Sequence, residues 1–203
     1  MNELFRKPIS YPRRPGTTQA GDGRPRRKWS VDEVQMMIEA GIMESGERFE
    51  LIGGDLVAMA AKGQHHELLK IALNDFWIRK RPPEVRVAQE TPLQLSENDA
   101  PEPEFIVYPA AIKAPQVRGD TVLLVVEIAD SSIGHDLNFK ASLYASFGVR
   151  EYWVINARRR VTTVLSVPGA DGFSSRQEFG GDALLTPLLV PMLAVRLDDL
   201  DLE

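Results

Sequence analysis

The apolar positions of this chain recur at two spacings. After Trp29, the residues Val34, Met37, Ile38 and Ile42 fall three or four apart, which predicts a helix with these residues on its core side. Ser30 and Glu33 mark its start as the N-cap and N3 residues of a capping box. The spacing then shortens. "RFELIGGDLVAM" (48–59) reads as two short strands joined by Gly53-Gly54, a two-residue hairpin signal. "HELLKIALNDFWIRK" (66–80) returns to helical spacing, with Leu69, Leu73, Phe76 and Trp77 as its core face.

Pro82-Pro83 end that helix. "EVRVAQETPLQLS" (84–96) reads as a strand with a proline irregularity, and "EFIVY" (104–108) as a short strand. "TVLLVVEIA" (121–129) is apolar on both faces, as a central strand covered from both sides must be. "DLNFKASLYASF" (136–147) predicts a helix with Gly148 as its C′ residue. Strands follow at 150–156 and 160–167, and the apolar runs "LLTPLLV" and "MLAVRL" close the chain. A strand, a helix and a strand in succession predict an α/β fold. Its mixed β-sheet is flanked by helices, with a helical crossover and an N-terminal helix and β-hairpin extension.

One residue breaks the apolar pattern of the central strand. Glu127 sits inside Val122–Ala129, and an ionised carboxylate is costly to bury without a partner. Lys140 is equally out of place on the apolar stripe of Leu143, Tyr144 and Phe147. If that helix packs antiparallel to the strand, Lys140 lies about 6 Å along it, and Glu127 about 6–7 Å back from the strand's end. The two are then level and suited to pair. Glu104, at the start of the preceding short strand, comes within reach of Glu127 if the strands are neighbours. Two such carboxylates suit Mg²⁺ or Mn²⁺, which favour oxygen ligands and keep several waters. A cation held by two acids beside a lysine suits phosphodiester hydrolysis.

Composition changes the picture in three places. The 203 residues include no cysteine, which excludes disulfides and thiolate metal sites and permits a reducing compartment. There is neither an apolar leader segment nor a run of ~18 apolar residues, so a cytoplasmic protein with no membrane partner is expected. Charge is unevenly spread. Residues 1–30 carry eight Lys/Arg against two Asp/Glu, and the remainder carries sixteen against twenty-seven. Residues 1–28, rich in Pro, Gly and Arg and without periodicity, read as a mostly disordered basic arm ahead of one domain, 29–203. An acidic domain does not advertise a broad phosphate-binding face, whereas the arm would suit nucleic acid.

The stretches "PEPEF", "VVEIADSS", "DLNFK" and "YASFGVREYW" together resemble a bacterial restriction-endonuclease-like family of the PD-(D/E)XK superfamily, long catalogued as a domain of unknown function. "RFELIGGDLVAM", "KGQHHELL" and "VAQETPLQL" fit the same pattern, and the resemblance covers about residues 30–167. It implies the restriction-endonuclease fold and a metal-dependent nuclease site. By position it implies that Glu104 stands for the Asp of "PD", Glu127 for the acid of "(D/E)XK", and Lys140 for the lysine that this branch carries on the following helix. Glu50 and His66 match an acid and a histidine that the family keeps near the site. The sequence departs from the pattern twice: "PD" reads "PE", and the lysine slot of the strand is Ala129.

These residues lead to a Mg²⁺- or Mn²⁺-dependent endonuclease acting on DNA, with a homodimer suited to cutting both strands. Two other classes compete. One is a nucleic-acid-binding module on the same fold with little or no catalysis. The other is a protein–protein interaction module in which Glu127 and Lys140 form only a buried ion pair. Gln89 is a weaker candidate, with strand hydrogen bonding as its ordinary use. Trp77, Tyr144 and Trp153 read as core, and His135 and Asp136 have no assigned role.

Overall fold

Six consecutive residues, Leu124–Ala129, form strand β7, and every one of them is buried. Such burial requires cover on both faces, and the computed structural model supplies it. It describes residues 17–19, 24–43, 46–59, 61–129 and 133–202. In chain order the strands are β1 (Thr17–Gln19), β2 (Pro25–Arg27), β3 (Phe49–Ile52), β4 (Asp55–Ala58), β5 (Val85–Gln89) and β6 (Phe105–Pro109). After β7 come β8 (Glu151–Asn156), β9 (Val161–Gly169) and β10 (Gly172–Phe179). The helices are α1 (Val31–Glu39), α2 (Gln64–Lys80), α3 (Ile133–His135) and α4 (Ala141–Ser146), with a π-helical turn, Asp136–Lys140, between the last two.

Six strands form the main sheet in the order β10-β9-β8-β7-β6-β5. All neighbours are antiparallel except β7 and β8, which run parallel and are linked through α3, the π turn and α4. This is the helical crossover expected between parallel strands. On one face, Leu124, Val126 and Ile128 meet Leu69, Leu73 and Trp77 of α2 and the tail residues Leu193, Val195 and Leu197. The Trp77 indole stands edge-on to Phe105 and donates its N–H to the Leu193 carbonyl at 2.9 Å. On the other face, Val125 and Ala129 meet Ala141 and Tyr144.

The ends of several elements follow their sequence signals. The Ser30 hydroxyl accepts from Glu33 N–H, and the Glu33 carboxylate accepts from Ser30 N–H, closing the capping box. Gly53 and Gly54 take φ of +61° and +87°, as a tight hairpin turn needs at both positions. A side chain on Gly54 would also strike Lys28, 2.7 Å from its Cβ position. Gly148, at φ +78°, ends the crossover helix.

Three expectations need correction, and one strand was not expected. On the α1 side read as core, Val34 is buried, but Ile38 and Ile42 are exposed. The capping box fixed the helix, but no core cluster includes that side: Ile38 instead borders an open groove with Phe49, Leu51 and Pro92. The strand read at 84–96 stops at Gln89, because Glu90 turns into the left-handed region at φ +45°. Residues 172–179 form an edge strand that the pattern did not reveal, for its polar residues face solvent on both sides. The helix expected from Asp136 starts at Ile133 and contains the π turn. Within the segment read as a basic arm, β1 and β2 pair antiparallel, and residues 1–16 and 20–23 lie outside the described residues. Among the described residues no helix is long and apolar enough to cross a membrane.

Candidate active site

Phe105 is in register with Val126, so Glu104 stands one step beyond, level with Glu127. Side chains alternate along a strand, and both glutamates therefore point to the face that carries α4. The crossover brings Lys140 to the same place: its Nζ lies 2.9 Å from Glu127 Oε1. Tyr144, one helical turn further, donates its hydroxyl proton to that oxygen at 3.2 Å. Tyr144 is thus both core and part of the site.

Glu50 arrives from β3. Its hairpin is tied to the loop before β6 by Ala100 N–H to the Leu51 carbonyl at 2.7 Å and by Gly53 N–H to Asp99 Oδ1 at 2.6 Å. Glu50 Oε1 accepts from Lys140 at 2.8 Å and from Glu102 N–H at 2.8 Å. His66 comes from the first turn of α2, with Nε2 3.0 Å from Glu104 Oε1. All five residues named from the sequence, Glu50, His66, Glu104, Glu127 and Lys140, line one pocket of about 270 Å³. Gln89 does not; it ends β5 opposite Phe105.

The pocket also contains residues to which no role was given. Lys62, in the loop before α2, reaches Glu104 at 2.8 Å and Glu90 at 2.5 Å. Asp136, buried on the π turn, lines the pocket beside the rim residue His135, whose ring stacks on Phe139. Lys62 lies 42 positions from Glu104, and no periodicity connects them. The four-residue spacing that puts Asp136 on the same helix stripe as Lys140 and Tyr144 was the available signal for Asp136.

Charge is unequally balanced across the pocket. Burial pushes the Glu127 carboxyl up to about 8; Lys140 opposes the shift, and Asp136 and Glu50 add to it. Burial disfavours the Lys140 ammonium, but Glu127 and Glu50 outweigh that and raise its pKa. One ammonium is therefore shared by two acids, Glu50 and Glu127. At Glu104 burial also disfavours the ionised form, yet hydrogen bonds from His66 and Lys62 prevail and hold its pKa below the ordinary value. Among the described residues no three His, Cys, Asp or Glu side chains stand close enough to hold a metal ion by themselves.

A six-stranded mixed sheet with acids on two adjacent central strands and a lysine on the crossover helix defines a restriction-endonuclease-like α/β protein. A profile of the Uma2 family, described as "Putative restriction endonuclease", matches residues 31–201, and the chain belongs to that family. Among solved structures, the chain is similar to "a putative nuclease belonging to DUF820" from Anabaena variabilis. The TM-score is 0.63 and the identity 14%, over 84% of this chain and 96% of the other, a likeness of fold. No curated protein matches the chain.

Proposed function

We propose that the protein is a divalent-cation-dependent endonuclease that hydrolyses DNA phosphodiester bonds. The observation that carries this reading is the meeting of Glu104 and Glu127 with the Lys140 ammonium in one pocket. The residues fit Mg²⁺ or Mn²⁺. Their donors are hard carboxylate oxygens, and the acids around Lys140 outnumber its charge. Two protein carboxylates, completed by water and substrate phosphate, are an ordinary way to hold Mg²⁺. Glu104 and Glu127 would hold the cation, which when bound neutralises phosphate charge and acidifies a water.

The chain's own groups supply the rest. Lys140 stays protonated at neutral pH and offers its N–H donors to the charge that grows on phosphate oxygens. Glu50 and Glu127 hold that ammonium from two sides, so its direction is fixed before substrate arrives. Tyr144 fixes the Glu127 oxygen in turn. His66 orients Glu104 from the start of α2.

One observation favours the binding-module reading. Glu104 is fully engaged by Lys62 and His66, and as a glutamate it departs from the "PD" pattern. Manganese titration calorimetry on the wild type and Glu127→Ala, followed by supercoiled-plasmid nicking, separates the readings. The expected result is one cation site lost in Glu127→Ala, with cation-dependent nicking that falls with it. Cation and DNA binding without nicking would support the binding module. Absence of both heat and nicking would sink the nuclease reading.

A further inference from the structure

Glu104 is held by groups of its own chain. The Lys62 ammonium lies 2.8 Å from Oε1 and 3.0 Å from Oε2. The same ammonium lies 2.5 Å from Glu90 Oε1. Glu104 lines the pocket and Glu90 does not. Glu90 is itself firmly placed. The buried Lys70 reaches the same Oε1 at 2.5 Å, and Glu90 N–H donates to the Glu104 carbonyl at 3.2 Å. Its φ of +45° is unusual for a side-chain-bearing residue and persists only where the surroundings fix it. Lys62 thus stands between two carboxylates, one in the pocket and one behind it. Its four-carbon stem lets the charged head move between them without backbone change.

We propose that Lys62 is a resident counter-cation of the pocket. It neutralises Glu104 while no divalent cation is bound and withdraws onto Glu90 when one arrives, so Glu90 sets how tightly the pocket holds its cation. The inference rests on Glu104 and Glu127 being cation ligands. An ammonium and a divalent cation on one carboxylate repel strongly at such short range. A lysine removed from Glu104 with no second partner would be a buried unpaired charge, which is costly. Glu90 removes that cost.

The test is manganese titration calorimetry on the full chain, with Mn²⁺ alone as probe, for the wild type, Lys62→Gln, Glu90→Gln and the double variant. Thermal melts check that each is folded. Lys62→Gln should tighten Mn²⁺ binding about tenfold, the scale of a direct coupling between two ligands of one site. Glu90→Gln should weaken it about fivefold, because Lys62 then rests on Glu104. The double variant should match Lys62→Gln, because Glu90 acts through the lysine.

Equal affinities in a wild type that binds Mn²⁺ and in both single variants would overturn the counter-cation role and leave the metal site standing. The same overturning follows if Glu90→Gln weakens binding equally with and without Lys62, for its carboxylate would then act through its field. No binding in any variant would remove both the role and the nuclease reading. Should Lys62→Gln fail to fold, Glu90→Gln carries the test alone, and an unchanged affinity there overturns the proposal.

Discussion

Lys140 Nζ lies 2.9 Å from Glu127 Oε1, with one residue on the central strand and the other at the end of a π turn. A π turn inside an α-helix is uncommon and often marks a functional position. Here the Ala141 N–H reaches back to the Asp136 carbonyl, and the turn carries both Asp136 and Lys140 into the pocket. Lys140 is therefore the hinge of the site's charge balance, and its removal should be the most damaging single change.

Lys140→Met leaves the buried Glu50 carboxylate without its cation. Breaking a buried pair in this way costs about 3–5 kcal/mol. For a domain of this size the melting temperature should fall by roughly 10 °C. Differential scanning calorimetry at pH 7 measures it, and a fall below about 2 °C would show that the pair is not buried as described.

The pH dependence has a definite sign. With its pKa at about 8, Glu127 holds its proton more tightly in the folded chain than in the unfolded one. Its contribution is complete below about pH 4.5 and is lost as pH rises toward 8. The wild type should therefore lose about 2–4 kcal/mol between pH 5 and pH 8. Glu151, whose carboxyl is also raised by burial, adds in the same direction. Glu127→Gln should flatten its own share and leave that of Glu151. Melting curves at the two pH values, compared between wild type and variant, check the difference.

Glu104 should behave in the opposite way. Its folded pKa is lowered, so its contribution is present above the ordinary carboxylate range and lost as pH falls through the folded value. Glu104→Gln should cost about 1–3 kcal/mol at pH 7, since Lys62 and His66 lose a charged acceptor. The cost should shrink as pH falls through the folded value, where the wild type itself takes up the proton. Urea titrations at pH 7 and at successively lower pH measure it, and a cost that does not change with pH would contradict the shift.

The basic segment offers a test of DNA contact outside the pocket. Deleting residues 1–28 removes all eight Lys/Arg of residues 1–30. Affinity for duplex DNA should drop at low salt, and the slope of log K against log salt should become shallower. Nicking at saturating DNA should be unchanged, because none of the described residues of the segment lines the pocket. Identical slopes for the two chains would assign DNA contact to the folded domain.

Legibility differed by element. β7 was readable because burial on both faces leaves a continuous apolar run, and Glu127 stood out against it. The pairing with Lys140 was suggested by a lysine on an apolar stripe together with the levels of strand and helix, given antiparallel packing. β10 was not readable, since between Phe173 and Phe179 its residues are all polar and mostly exposed, leaving no apolar alternation to show. Lys62 and Glu90 were hidden for another reason. Their roles depend on a loop and a left-handed residue that bring together positions 28 apart, and neither leaves a periodic trace.

The hairpin that carries Glu50 has a consequence for dynamics. Glu127 belongs to the middle of a six-stranded ladder and Glu104 directly precedes its neighbour β6, whereas Glu50 rides on a two-stranded ribbon fastened by a few hydrogen bonds such as Ala100 to Leu51 and Gly54 to Asn98. Small ribbons open at lower free energy than central strands. Amide exchange at Leu51 and Ile52 should thus proceed by local opening, while Val126 and Glu127 exchange only with global unfolding. Each opening releases Lys140 from one of its two anchors without disturbing the other, so the site has a rigid half and a breathing half within a single pocket.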